Sequence, residues 1–258
     1  MPTNKSLGQH WLKDRYILAE IADLADIEAE DSVLEIGPGL GTLTSELLRR
    51  AKKVIAVEFD SELASKLPGQ FPGKNLEVEN QDILSYNLDS LPPGYKVAAN
   101  VPYYITSKIV QKLMTASNKP ALAVLLVQKE VAERLAAAPG DMSILAISAQ
   151  VYAEVSLGEV VPAELFTPPP KVDSQVVKLK TRATPLVDAA SEKLFFRVVK
   201  AGFSAKRKKL RSSLAGGLGV SKSETEDFLL TAGIDAGARA EDLSIEDWLG
   251  LVEIFKKL

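Results

Sequence analysis

Residues 33–36 (Val-Leu-Glu-Ile, interrupted by Glu35), 54–57, 97–99 and 121–127 are short, mainly apolar runs that lack the alternation of a half-buried strand. Segments between them carry apolar residues at helical spacing. A strand that is apolar on both sides has both faces covered, the condition of a parallel sheet layered between helices. No other feature constrains the fold as much. Asp14 offers an N-cap for a first helix with Ile17, Leu18, Ile21, Leu24 and Ala25 on one side. Leu43, Leu47 and Leu48 predict a second helix, and Leu63 with Leu67 a third. Residues 76–79 read as another short strand. Residues 155–161 and 175–180 alternate more and read as an antiparallel edge pair.

The character of the chain changes near residue 181. Residues 181–185 read as a linker, and no strand pattern follows. Residues 191–258 read as short helices broken by Gly216-Gly217, Gly219 and Gly233. Two domains are expected, an α/β domain over 1–181 and a helical one over 182–258. A chain of 258 residues buries enough surface to need no staple, and with no cysteine it has none. Zero cysteines and the single His10 also remove thiolate zinc sites, iron–sulfur clusters, cysteine nucleophiles and multi-histidine metal sites, so no metal is expected. The longest apolar run, 121–127, is far below the roughly 20 residues of a membrane span, and residues 1–20 carry no apolar leader core. A soluble cytoplasmic protein is expected.

Gly37-Pro38-Gly39-Leu40-Gly41 follows the first strand and precedes a helix. Glycines there let the backbone turn sharply and approach a ligand, at the strand ends where open α/β sheets bind nucleotides. Thr42 stands where the dinucleotide fingerprint requires glycine, which argues against a nicotinamide cofactor and an oxidoreductase. Glu58, closing the second strand, can accept hydrogen bonds from two ribose hydroxyls. Asp82, after the third, can accept from an adenine amino group. No cation lies in the glycine loop, so the ligand need carry no phosphate. S-adenosylmethionine has this chemistry: ribose, adenine and a sulfonium.

Asn100-Val101-Pro102-Tyr103 follows the fourth strand, at the same sheet edge. Pro102 fixes its own φ and holds Val101 extended. The Asn100 side-chain oxygen and the Val101 carbonyl can then converge on the two N–H donors of an exocyclic amine. Tyr103 offers a face for a base to stack on. Attack on a sulfonium methyl is driven by positioning and needs no general base.

At this point the chain resembles the ribosomal RNA adenine N6-dimethyltransferases of the KsgA/RsmA type. The resemblance rests on Lys5-Ser6-Leu7-Gly8-Gln9-His10-Trp11-Leu12, the glycine loop, Asn100 to Tyr103, Phe166-Thr167-Pro168-Pro169-Pro170-Lys171-Val172-Asp173-Ser174, and the stretch from Phe203 to Leu214. It implies a class I methyltransferase fold, Rossmann-like with a seven-stranded mostly parallel sheet, plus a small helical C-terminal domain. It implies S-adenosylmethionine contacts at His10, Leu12, Gly37, Gly39, Glu58, Asp82 and Asn100. It also implies that Phe166 helps Tyr103 sandwich the target adenine, with Asn100 and Pro102 shaping the catalytic loop. Trp11 and Val101 replace the phenylalanine and leucine usual in the family, both apolar exchanges. Tyr104 falls in a variable part of the pattern and receives no role.

The net charge of −3 conceals a polarised chain. Lys200, Lys206, Arg207, Lys208, Lys209 and Arg211 form a run without an acid, while residues 223–258 hold nine acids against three bases. Phosphate binding needs such a local cluster. Lys206, Arg207, Lys208 and Arg211 are therefore expected to bind RNA, with Arg207 and Arg211 on one helical face. The expected enzyme dimethylates two adjacent adenines of small-subunit (16S) rRNA within an assembling particle, and acts as a monomer. A large-subunit methyltransferase of the macrolide-resistance type and a non-catalytic assembly factor stay open as alternatives.

Overall fold

Each apolar run of the sequence is a strand in the computed structural model, which describes residues 10–205 and 207–256. Residues 5–9 of the N-terminal motif and Lys206 lie outside the described residues. The chain runs β1 (Trp11–Leu12), α1 (Arg15–Leu24), β2 (Ser32–Ile36), α2 (Thr42–Leu47), β3 (Lys53–Glu58), α3 (Ser61–Lys66), β4 (Leu76–Asn80), β5 (Lys96–Asn100), α4 (Thr106–Thr115) and β6 (Leu122–Gln128). It continues through α5 (Lys129–Leu135), α6 (Ile144–Gln150), β7 (Ala153–Val161), β8 (Phe166–Thr167) and β9 (Ser174–Thr181). The helices α7 (Glu192–Gly202), α8 (Leu210–Leu218), α9 (Lys222–Thr231) and α10 (Ile245–Phe255) follow.

The main sheet has seven strands in the order β4-β3-β2-β5-β6-β9-β7. β2 to β6 are mutually parallel, and β9 is antiparallel to both its neighbours. The two later strands do pair with each other, but only β7 is an edge. β9 lies inside the sheet because β6, apolar on both faces, needs a neighbour on each side; Val176, Val177 and Leu179 are fully buried. β2, β3 and β4 progress to one side, and β5 returns to the other side of β2. Ligands bind open α/β sheets at this reversal, outside the carboxyl ends of the strands.

The expected first helix is α1. The Asp14 carboxylate accepts from the backbone N–H groups of Tyr16 and Ile17 at 3.0 and 3.1 Å. Its buried face of Ile17, Leu18 and Ile21 packs with Leu12, Leu43, Leu47 and Phe166 in one core cluster.

Contacts divide the chain into two units, and the division differs from a single boundary after 181. The first unit is the chain up to Glu133 with Ala153–Arg182; the second is Arg134–Tyr152 with everything from Ala183 onward. The inserted segment joins the helical unit through main-chain bonds. Gly140 N and Met142 N donate to Glu241 O at 2.9 and 3.1 Å, and Leu186 N donates to Val151 O at 2.9 Å. Gly216-Gly217 does not break a helix either. α8 runs through both and ends at Gly219, whose φ of 74° closes it as a left-handed C-cap.

Candidate active site

The glycine loop leaves β2 with Gly37, Gly39 and Gly41 all at positive φ (67°, 56° and 79°). That region suits glycine and strains other residues. Glu58 holds the loop. Its Oε2 accepts from Gly39 N at 3.1 Å and its Oε1 from Asp60 N at 2.8 Å. Only 7% of Glu58 is exposed, and burial pushes its carboxyl up from the usual carboxylate range. It is no solvated strand-end acid. Each oxygen has a second lone pair left, enough to take two ribose hydroxyls.

An N-terminal strap crosses this loop. Trp11 and Leu12 pair antiparallel with Thr167 and Phe166. The Trp11 ring packs so closely on Gly39 that a Cβ there would overlap it. Thr42 Oγ1 donates to Leu12 O at 3.1 Å, fastening the strap to the first turn of α2. In the sequence Thr42 counted only as a missing glycine; here its hydroxyl does positive work.

The Asn100 loop stands beside the glycines. A Cβ on Gly37 would lie 3.9 Å from Asn100 O, so the ends of β2 and β5 form one wall. Asn100 Nδ2 donates to His10 O at 3.3 Å. That orientation leaves Oδ1 as an acceptor, and neither it nor Val101 O receives a hydrogen bond among the described residues. Val101 N donates to Leu126 O at 3.3 Å, which pins the loop to β6. Pro102 sits at φ −61°, as its ring requires.

Tyr103 is held at its hydroxyl, 2.6 Å from Ser174 Oγ, with Ser174 fully buried at the start of β9. Burial pushes the phenol above its ordinary range, so Tyr103 stays neutral and serves as a flat surface rather than a base. His10 lies on its face, and His10 Nδ1 is 2.7 Å from Pro168 O.

His10, Leu12, Gly37, Gly39, Glu58, Asn100, Pro102 and Tyr103 thus line one cleft. Asp82 lines an adjoining hollow that shares Gly37, Glu58, Phe59 and Pro102 with it. The Asp82 carboxylate accepts from Leu84 N at 2.9 Å, which fixes its turn. Phe166 is not brought to the cleft. It is 2% exposed, its backbone pairs with Leu12, and its ring belongs to the core; the ring beside Tyr103 is that of His10.

Two expected RNA contacts also change. Arg207 and Arg211 do not share a helix, because Lys209 is the extended N-cap of α8 and Arg207 precedes it. Arg211 Nη1 is paired with Glu226 Oε2 at 2.7 Å, while Arg207 and Lys208 remain exposed.

Glu35 is a cleft residue that sequence reasoning passed over. It is 1% exposed, its Oε2 has no hydrogen-bond partner among the described residues, and burial raises its pKa to about 8. A carboxylate inside an otherwise apolar strand run was the available signal.

A cation-free glycine loop, a strand-end carboxylate clamped to it and an acceptor-bearing loop at the switch point of this sheet define a class I, S-adenosylmethionine-dependent methyltransferase. The residues fit the cofactor: Glu58 has lone pairs for ribose, and the unpartnered Glu35 oxygen suits a cationic ligand. Residues 2–257 match the model of the "Ribosomal RNA adenine dimethylase" family, and the chain belongs to that family. It is 44% identical over 252 residues to the ribosomal RNA small subunit methyltransferase A of Dehalococcoides mccartyi strain CBDB1, covering 96% of this chain and 87% of that protein. The protein of the same name from Bacillus pumilus is 39% identical over 266 residues, covering 98% and 91%. Among solved structures, a dimethyladenosine transferase from Plasmodium falciparum superposes with a TM-score of 0.82 at 32% identity, covering 96% and 98% of the two chains. The 23S rRNA methyltransferase ErmE gives 0.78 at 33%, covering 94% and 98%.

Proposed function

We propose that this enzyme transfers methyl groups, one at a time, to N6 of two adjacent adenines of small-subunit (16S) rRNA, giving N6,N6-dimethyladenosine during small-subunit assembly. The cofactor supplies an electrophilic methyl and leaves as S-adenosylhomocysteine, and each newly methylated N6, cationic at first, gives up one proton to solvent. His10, Leu12, Gly37, Gly39, Glu58 and Asp82 hold it. Asn100 Oδ1 and Val101 O accept the two N6 hydrogens, which turns the nitrogen lone pair out of the ring and toward the methyl. Pro102 keeps these acceptors aligned, and Tyr103 stacks the base. Positioning supplies the rate, so attack on the methyl needs no general base. Asn100 carries this reading: its amide nitrogen is committed to His10 O, which leaves the oxygen for the substrate.

Arg207 and Lys208, exposed before α8, hold the rRNA through phosphate contacts. Lys206 and Arg211 complete the expected set, one outside the described residues and the other sharing its charge with Glu226. The enzyme works as a cytoplasmic monomer on an assembling particle. Among the described residues no helix is long and apolar enough to cross a membrane.

The test is methyl-labelled S-adenosylmethionine with unmethylated small subunits, and large-subunit RNA in parallel. Label recovered as N6,N6-dimethyladenosine from small subunits alone is expected. Label on large-subunit RNA instead overturns the substrate assignment, and binding without label overturns the reaction.

A further inference from the structure

We propose that one face of α7 extends the RNA-binding surface beyond the basic run, with Lys193 and Arg197 joining Lys200 to take consecutive phosphates of the sugar–phosphate backbone. The inference rests on the assignment of an RNA substrate and adds a site to it.

The three residues are four and three positions apart, the spacing that places side chains on one face of a helix. All three are exposed. They line one open groove with Phe196, Ser204 and Gly217, and no acidic residue lines it. At 1.5 Å per residue the cations extend over about 10 Å, a row suited to a repeating polyanion rather than to one small anion.

None of the three makes an ion pair within 4.0 Å among the described residues, although the helical unit is rich in acids. Several of those acids are engaged elsewhere. Glu226 holds Arg211, Glu224 and Asp247 close capping boxes, and Asp188 caps Ser191. The groove lining thus carries three cations and no carboxylate, unlike an ordinary mixed-charge helix surface.

The groove is built into the packing. α8 meets α7 where Gly217 faces Ala201, and a Cβ on Gly217 would lie 2.6 Å from that of Ala201. The two backbones come close here, and both Ala201 and Gly217 line the groove beside the cations. Phe196, which lines the groove, also stacks on Tyr152 with centroids 6.3 Å apart and meets Phe195 edge-on at 5.2 Å.

The experiment uses the full-length protein and measures binding to small-subunit rRNA across a salt series. The triple variant Lys193→Ala, Arg197→Ala, Lys200→Ala is expected to lower the slope of log K against log salt by about 2 to 3 and to weaken binding at least about tenfold at 100 mM salt. Cofactor affinity and Tm are expected to stay at wild-type values. Arg197→Glu is expected to weaken binding more than Lys222→Glu, an equal charge change at the exposed start of α9. An unchanged slope in the triple variant, or equal effects of the two reversals, overturns the proposal. So does a defect seen with intact particles but not with naked rRNA, which would point to a protein partner. Methyl transfer by the wild-type enzyme is scored separately. Its absence would sink the reaction assigned above, while the binding slopes would still decide the groove.

Discussion

The His10 imidazole lies over the Tyr103 ring, with centroids 5.8 Å apart and planes 19° from parallel. One face of the expected base platform is thus covered by a side chain from the N-terminal strap. An adenine that stacks on that face must displace the imidazole. The main-chain carbonyl of His10, which orients Asn100, survives any substitution of the ring. His10→Ala is therefore expected to keep kcat within about tenfold. Tyr103→Ala should lose about 10- to 100-fold in kcat/KM, since a base stack contributes ~1–3 kcal/mol. Tyr103→Phe should retain most activity, because among the described residues the hydroxyl's hydrogen-bond partner is Ser174. Steady-state kinetics on small subunits decides; an active Tyr103→Ala enzyme would remove stacking from the mechanism.

Asn100→Ala separates binding from chemistry. The glycine loop and Glu58 are untouched, so the cofactor should bind within a few-fold of wild type. The acceptor for N6 is gone, and methyl transfer is expected to fall by about 10²–10³, the usual loss for one positioned polar group. Calorimetric binding and single-turnover methylation measure the two quantities. A parallel loss of both would show that Asn100 serves the cofactor alone.

The Thr42 clamp predicts a local effect. Thr42→Val keeps the shape and removes the donor to Leu12 O. The cost should be about 0.5–1.5 kcal/mol in stability. Hydrogen exchange should rise at Leu12 and its partner Phe166, with the remaining sheet unchanged. Uniform exchange across the first unit would mean that the strap is held by other contacts.

These residues mark how far the sequence could be read. The sheet was legible because β3, β5 and β6 are apolar on both faces and β2 is so apart from Glu35, and Gly37 and Asn100 fell at strand ends. Asp14 was legible because capping is local. What escaped depends on contacts distant in the chain. Thr42 reads as a failed glycine until Leu12 is known to lie 30 residues away in sequence yet within hydrogen-bond reach. Ser174 is one hydroxyl among many until β9 carries it to Tyr103. The stacking role of Phe166 came from the family resemblance alone; by residue type a Phe before three prolines reads as a loop anchored in the core, where its ring lies. Residues 134–152 carry no signal for the helical unit, because Glu241 O, which holds them, lies about a hundred residues on.

Glu35 gives a prediction in pH. Burial raises its folded pKa to about 8, and Glu58 beside it is also shifted upward by burial. The folded protein thus keeps a proton that the unfolded chain gives up near pH 4.3. Stability from the neutral Glu35 is fully present below the unfolded value and is lost as pH rises through about 8. Glu35→Gln, which cannot ionise, should flatten the fall in Tm between pH 5 and 8, with Glu58 leaving a residual slope. A bound cation in the cleft favours the carboxylate and reverses the preference. S-adenosylmethionine binding by the wild type should therefore release protons and tighten as pH rises toward 8, and Glu35→Gln should do neither. Calorimetry in buffers of different ionisation enthalpy measures the release directly. Equal proton release in both proteins would place the titrating group elsewhere and leave Glu35 a passive buried acid.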